Sequence, residues 1–331
     1  MSSEIEKTIG QVNQNDDSGV LIGRWEGPFD DGTLPTQWTG SALILRRFHL
    51  SDGQPVRYGQ CWVFAGVVST VLRCLGIPSR PVTNYSSAHD TDASCTVDFY
   101  FSAEEGKRLK ERERDSIWNF HVWNDAWMGR PDLGRDYDGW QALDATPQEK
   151  SEGLYRAGPA PLKAIRSGQV GLAFDTAFLF AEVNADKCYW AVEGGGGRGC
   201  RERLLRVARQ EVGRRLVTKR PGSNTPEQDL MDITDQYKHP EWTGAERESM
   251  MRALMHGNPQ ALHHYAEHEK DDGAQDTKMG QDFNVRLEAV NESAEEGTLS
   301  TAIRVHSARY TAIQSANSKQ IPALSICCLA R

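Results

Sequence analysis

A basic excess is missing from this sequence of 331 residues: Lys and Arg number 38 against 46 Asp and Glu, for a net charge of −8. Nucleic-acid binders normally show the opposite balance, because cations make their phosphate contacts. An acidic surplus suits divalent cations better. Long apolar runs are missing too. The longest, Cys61–Ile77, is broken by Gly66, Ser69, Thr70 and Arg73 and falls short of a membrane span. Met1–Gly10 is polar and has no apolar stretch of the signal-peptide kind. Cysteine is scarce: seven residues, at 61, 74, 95, 188, 200, 327 and 328, with no CxxC pair. An odd, scattered set excludes a disulfide scaffold and gives no zinc motif. It implies reduced thiols, a cytoplasmic setting (with unconventional secretion as the other route), and one thiol free for catalysis. Gly194–Gly197 is not followed by Lys-Ser/Thr, so it reads as a turn and not as a phosphate loop. No internal repeat occurs.

What is present is ordinary globular composition, with 38 % apolar and 25 % charged residues. Residues 11–60 mix the turn-rich Asn13–Gly19 and Gly27–Pro35 with the apolar Trp38–Phe48. Cys61–Leu75 is apolar almost all round, as a buried helix must be, and Gly76 and Pro78 end it. Arg80–Tyr85, Thr96–Ser102, Trp118–Trp127 and Gly139–Ala145 read as strands, and the charged Gly106–Arg114 as a solvated segment. Ala177–Val183 and Leu204–Val207 are further apolar pieces, and Glu246–His256 reads as a helix. A polar linker is expected at 266–278. Beyond it, Phe283–Val290 and Thr301–Tyr310 look like strands of a second unit, too few to close a sandwich or barrel.

Cys61 lies where a loop meets the start of the apolar helix, in Tyr58-Gly59-Gln60-Cys61-Trp62. The positive end of a helix dipole there would stabilise a thiolate. A lone Cys beside apolar residues is ordinarily a small buried hydrophobe, so position alone does not decide. Period-two alternation puts Asn119, His121 and Trp123 on one strand face. Asp144 ends Trp140-Gln141-Ala142-Leu143-Asp144, a strand able to pair with the first. Cys, His and Asp so placed supply a nucleophile, a base and an orienting carboxylate.

Tyr58–Asp90 (YGQCWVFAGVVSTVLRCLGIPSRPVTNYSSAHD), Ser116–Leu133 (SIWNFHVWNDAWMGRPDL) and Gly139–Gly153 (GWQALDATPQEKSEG) together resemble the animal transglutaminases, the protein-glutamine γ-glutamyltransferases. Phe180–Asp186 (FAEVNAD) and Thr234–Glu241 (TDQYKHPE) extend the likeness, in order and spacing, over Asn13–Phe283. The resemblance implies a papain-like α/β (α+β) catalytic core over 1–265, with an incomplete first C-terminal β-barrel at 279–331. It implies that the family's N-terminal β-sandwich and second barrel are absent. The family triad falls on Cys61, His121 and Asp144. The implied chemistry is attack by the Cys61 thiolate on a glutamine γ-carboxamide, loss of ammonia, and transfer of the thioester acyl group to a lysine ε-amine or a polyamine. Trp25 in Gly23-Arg24-Trp25 matches the family's indole oxyanion donor, beside the Cys61 N–H. Trp118 matches a wall of the amine tunnel.

The resemblance also implies calcium at three oxygen-rich clusters. The first is Asn13, Asn15 and Asp17. The second is Asn184, Asp186, Glu241 and Glu246, ranked first for its three carboxylates. The third is Asp90, Asp92 and Ser94 with Asp115; an amide is common where Ser94 stands. By residue type alone each would be a turn or helix cap. None is an EF-hand: counted from Asp90, position six is Cys95 where Gly is needed, and position twelve is Phe101 where Glu is needed. Asp276-Thr277-Lys278-Met279-Gly280 lacks the Arg pair of GTP-binding members, and Arg156-Ala157 stands where some members carry vicinal cysteines, so neither GTP control nor that redox switch is expected. Two other readings compete. One is a silent structural or binding protein of the same fold, against which the intact triad argues. The other is a papain-like thiol protease, against which the motifs around each triad residue argue. His263, His264 and His268 read as a solvated linker helix.

Overall fold

The computed structural model describes residues 2–15, 18–151, 153–194, 200–223, 225, 229–259, 262, 299–300 and 325–326. The chain falls into two units, Met1–Ala274 and Gln275–Arg331. In chain order the first unit runs α1 (Ser2–Gly10), β1 (Leu21–Gly23), α2 (Ser41–Leu50), β2 (Val56–Gly59), α3 (Cys61–Cys74), β3 (Ser79–His89), β4 (Thr96–Ser102), β5 (Ser116–Met128) and β6 (Gly139–Asp144). It continues with β7 (Lys150–Ser151), β8 (Leu154–Tyr155), β9 (Ala157–Pro161), α4 (Leu162–Arg166), α5 (Thr176–Asn184), β10 (Asp186–Glu193), β11 (Arg201–Ala208), β12 (Arg215–Lys219), β13 (Leu230–Asp232), α6 (Thr234–Tyr237) and α7 (Gly244–Gly257). Described in the second unit is one antiparallel pair, β14 (Leu299–Ser300) with β15 (Ser325–Ile326). The strands expected at Phe283–Val290 and Thr301–Tyr310, the linker at 266–278 and His263, His264 and His268 lie outside the described residues.

The scaffold is a six-stranded sheet in the order β13-β12-β3-β5-β6-β9, antiparallel throughout. Alternation along β5 and β6 sorts their side chains onto two faces. Ala126, Met128 and Leu143 join Phe64, Val67, Val68 and Leu72 of α3 in one core. Trp123 and Ala142 join Leu162, Ile165, Leu179, Val183 and Tyr237, from α4, α5 and α6, in the other. His121 and Asp144 share the parity of the second set, so both are directed toward α5. A second sheet, β11-β10-β4, packs Trp190 and Cys188 with Phe180 of α5 and Met250, Ala253 and Leu254 of α7.

Local chemistry explains the elements that carry the site. Helix α3 buries Val63, Phe64, Ala65, Val67, Val68 and Leu72. It stops where Gly76 takes φ +78. There Gly76 N–H bonds Arg73 O at 3.0 Å and Ile77 N–H bonds Leu72 O at 2.9 Å, a Schellman end for which glycine is the natural residue. Helix α7 begins two residues before Glu246, because the Thr243 hydroxyl caps it by accepting from Glu246 N–H at 3.3 Å. Strand β3 is longer than the expected Arg80–Tyr85, since Ser87, Ala88 and His89 still pair with Trp118, Ile117 and Ser116. The apolar piece Ala177–Val183 is a helix, buried on nearly all sides between the two sheets. The polar N-terminus hides a helix too: Ile5 and Ile9 of α1 lie one turn apart and enter the first core.

Arg130 fastens the end of the sheet that carries Asp144. It is fully buried, and its Nη1 donates to Gln141 Oε1 of β6 at 2.8 Å and to Pro159 O of β9 at 2.7 Å. Its other nitrogens grip the Asp132 carboxylate. Arg130→Met strands two buried acceptors, each worth about 1–3 kcal/mol. The expected outcome is a urea midpoint clearly below wild type with an unchanged m-value.

Candidate active site

Cys61 is the first residue of α3 and is 3 % exposed. Gln60 caps the helix in extended backbone and uses its side chain elsewhere: Nε2 donates to Arg24 O at 2.9 Å and sits 3.4 Å from Trp25 O. The parallel pairing of β1 with β2 brings Gly23 beside Gly59, and Arg24 N–H bonds Gly59 O at 3.0 Å. Trp25, distant in sequence, is thus delivered next to the start of α3. Its indole is 42 % exposed and stands edge-on to Trp118, with centroids 6.5 Å apart.

His121 and Asp144 are both buried, and His121 Nε2 faces Asp144 Oδ2 at 2.7 Å. Asp144 is held in turn by Thr146 N–H, which donates to Oδ1 at 2.8 Å. His121 Nδ1 makes no hydrogen bond within the protein. Burial opposes a charge on this imidazole, but Asp144, the Cys61 thiol and Glu182 favour the proton and raise its pKa well above the ordinary value. Cys61 itself packs with Ala65 and Val122, the latter next to His121 in β5. Cys61, His121 and Asp144 are therefore brought together, although three separate elements carry them.

Four residues around this group escaped the sequence reading. His89 Nε2 pairs with Glu149 Oε1 at 2.9 Å, and its ring meets Trp118 edge-on at 5.9 Å. Trp118 also meets His121 edge-on at 5.2 Å, so one indole separates two His–carboxylate pairs. Gln148 Nε2 lies 2.8 Å from His121 Nε2, 3.0 Å from Asp144 Oδ2 and 3.1 Å from Glu182 Oε1. Glu182 is wholly buried, 3.7 Å from His121 Nε2. A signal for it existed: one acid in the otherwise apolar run Ala177–Val183, where a charge is unwelcome.

The calcium clusters fare differently. Oxygens of Asp90, Asp92 and Asp115 lie within 4.8 Å of one another. Asp90 is buried and accepts from the N–H groups of Asp92, Ser94 and Cys95 at 3.2, 3.2 and 2.8 Å. The Ser94 hydroxyl is 3.4 Å from the same carboxylate, and Asp115 accepts from Thr91 N–H and Oγ1 at 3.0 Å. Burial, with the Asp115 and Asp92 charges adding, pushes Asp90 up to about 7 against the pull of the Cys95 N–H. Three crowded carboxylates, with oxygens within 4.8 Å of one another, are a hard-oxygen set of the kind that fits a divalent cation.

The cluster ranked first from sequence is arranged otherwise. Arg247 lays its fork on Asp186, at 2.8 and 3.1 Å, and its Nε on Glu246 at 2.8 Å. Lys238 Nζ sits 2.5 Å from Glu241 Oε1. Among the described residues these acids form no convergent group like that of Asp90. Counting carboxylates could not reveal cations from the same helix and the preceding turn. Asn184 closes α5 beside them. In the first cluster, Asn13 is buried and donates from Nδ2 to Tyr155 O at 2.6 Å, while Asn15 is exposed. Asp17 lies outside the described residues, as does Asp276–Gly280, where the GTP expectation fell.

Three comparisons bear on this geometry. The model of the transglutaminase-like superfamily matches residues 50–145, the stretch that holds Cys61, His121 and Asp144. The chain is 45 % identical over 317 residues to the hemocyte protein-glutamine gamma-glutamyltransferase of Tachypleus tridentatus, covering 93 % of this chain and 41 % of that protein. It is 45 % identical over 313 residues to protein-glutamine gamma-glutamyltransferase K of Homo sapiens, covering 93 % and 37 %. The crystal structure of red sea bream transglutaminase superposes with a TM-score of 0.64 at 45 % identity, over 76 % of this chain and 37 % of that one. The chain thus spans well under half the length of the relatives it matches.

Glu182 gives the site a pH signature that needs no substrate. Burial above all, with Asp144 adding and His121 opposing, pushes its pKa up to about 8. The folded protein therefore holds this proton more tightly than the unfolded chain, and stability falls as pH rises from about 4.5 toward about 8. Thermal melts across that window should show Glu182→Gln flatter than wild type. Parallel curves would refute the assignment.

Proposed function

This chain belongs to the transglutaminase-like superfamily, and on that premise we propose that it transfers the γ-carboxamide acyl group of protein-bound glutamine to a lysine ε-amine or a polyamine. The observation that carries the reading is the His121–Asp144 pair, 2.7 Å apart and buried beside a thiol at a helix N-terminus. Cys61 thiolate attacks the carboxamide carbon, and His121 protonates the departing ammonia. The resulting thioester is opened by the amine, whose proton His121 accepts, and Asp144 holds the imidazole through Nε2 so that Nδ1 serves the reaction. The first turn of α3 has amide N–H groups with no intrahelical partner, and that of Cys61 is the nearest donor for the oxyanion. The Trp25 indole is the second. Exposed Trp25, with Trp118 and His89, forms an aromatic approach that favours an amine over water.

Calcium belongs with Asp90, Asp92 and Asp115, beside Ser94, where a dication would offset the mutual repulsion of the carboxylates and order the loop between β3 and β4. A cavity of about 330 Å³ adjoins that loop and has Asp90 and Asp92 on one side and Asp144, Thr146 and Gln148 on the other. The loop is therefore placed to bear on the triad without touching substrate. The clusters at Asn13, Asn15 and Asp17, and at Asn184, Asp186, Glu241 and Glu246, rank behind it, the latter because Arg247 and Lys238 already supply counter-charge. No described helix is long and apolar enough to cross a membrane. The described cysteines are all free, in keeping with a reducing, cytoplasmic setting.

The test is incorporation of a fluorescent primary amine into a glutamine-rich protein. Cys61→Ala should abolish it. Asp144→Asn, which forces the wrong imidazole tautomer, should lower kcat by ~10⁴-fold. Asp90→Ala with Asp92→Ala should raise the calcium concentration needed for half-maximal rate, with the rate at saturation less affected. Incorporation by wild type that persists in Cys61→Ala, or that ignores calcium, would overturn the corresponding part.

A further inference from the structure

A third carboxyl sits against the triad from the helix behind the sheet. Glu182 of α5 is wholly buried, and one of its oxygens, Oε2, makes no hydrogen bond within the protein. Its other oxygen accepts from Gln148 Nε2 at 3.1 Å. The same amide nitrogen lies 3.0 Å from Asp144 Oδ2 and 2.8 Å from His121 Nε2. One NH₂ group thus bridges both carboxyls at the edge of the imidazole. Gln148 belongs to the chain between β6 and β7, and without an anchor on α5 its side chain has no reason to stay across the His121–Asp144 bond. Burying a carboxyl in an apolar helix is costly, and a helix meant only for packing would carry leucine there.

Resting on the acyl-transfer reading, we propose that Glu182 is a positioning residue of the triad, holding the Gln148 amide across the His121–Asp144 bond. Both carboxyls lie close to the imidazole, Asp144 at 2.7 Å and Glu182 at 3.7 Å from His121 Nε2, so the shared amide ties the position of one to the other.

The titratable and charged groups facing His121 are Asp144 from β6, Glu182 from α5 and Cys61 from α3, and these are the groups whose interactions dominate its pKa. His89 and Glu149 lie across the Trp118 ring. The experiment uses the full chain with saturating calcium. Glu182→Leu should lower kcat for amine incorporation by about 10–100-fold, the cost of a misplaced catalytic group, with KM for the glutamine substrate within about twofold. Gln148→Ala should do the same, and the double variant should be no worse than either single one. Glu182→Gln, which keeps an acceptor of the same shape, should recover most of the rate near pH 7. The rate of Cys61 alkylation by iodoacetamide reads the thiol and imidazole without acyl transfer, and it should fall in Glu182→Leu and recover in Glu182→Gln. A wild type that alkylates readily but incorporates no amine would sink the functional reading. Equal kcat in Glu182→Leu and wild type, or additive losses with Gln148→Ala, or an alkylation rate unmoved in Glu182→Leu, would each sink this one.

Discussion

A hydrogen-bonded imidazole and carboxylate held inside a protein is the constraint on which this structure turns. Ionic groups leave water at a cost of several kcal/mol each, recovered only where geometry is tight and the remaining lone pairs are satisfied. The sheet supplies that geometry. Antiparallel β5 and β6 put Asn124 opposite Leu143, which leaves Asp144 one residue further along and on the face of His121. Thr146 N–H and Gln148 satisfy the carboxylate, Arg130 fastens the strands behind it, and β9 covers the edge. Cys61 needs only to arrive at the open side of the ring. It does so because α3 is anchored along its whole length in the opposite core and begins at that residue.

Aromatic rings set the outer boundary. Trp25, Trp118 and His89 form a chain of edge-on contacts that ends on His121. Such rings exclude water without adding charge, and under the proposed acyl transfer, where an amine would have to outcompete water, that is the useful property. Their support is polar: Gln60 holds the Trp25 segment, and Glu149 holds His89. The excess of acid noted in the composition is likewise not spread evenly. Part of it is gathered at Asp90, Asp92 and Asp115, which repel one another, and part at Asp186, Glu241 and Glu246, where Arg247 and Lys238 neutralise it. Two clusters similar on paper are thereby suited to different tasks.

Much of the fold was legible in the chain itself. The all-round apolar run Cys61–Leu75 declared a buried helix, and glycine at 76 declared its end, because a left-handed residue is needed there. Alternation marked β5 and β6, and the bounds of β4 match the expected Thr96–Ser102. What was obscure had a physical reason in each case. α1 looked polar because, of its described side chains, only Ile5 and Ile9 join the hydrophobic core. Ala177–Val183 offered no period, since a helix buried on all sides has none to show.

By itself, then, the sequence determined the family and singled out Cys61, His121 and Asp144 as candidates, because local motifs carry those residues and their order. Only the tertiary structure decided which acids crowd together and which are paired with cations, and which carboxyl lies buried in an apolar helix beside His121. It alone showed that Gln148, Glu182, His89 and Glu149 surround the triad. Charge balance and pKa depend on distance and burial, and those are set by strand register and helix packing between residues as far apart in the chain as Gln148 and Glu182.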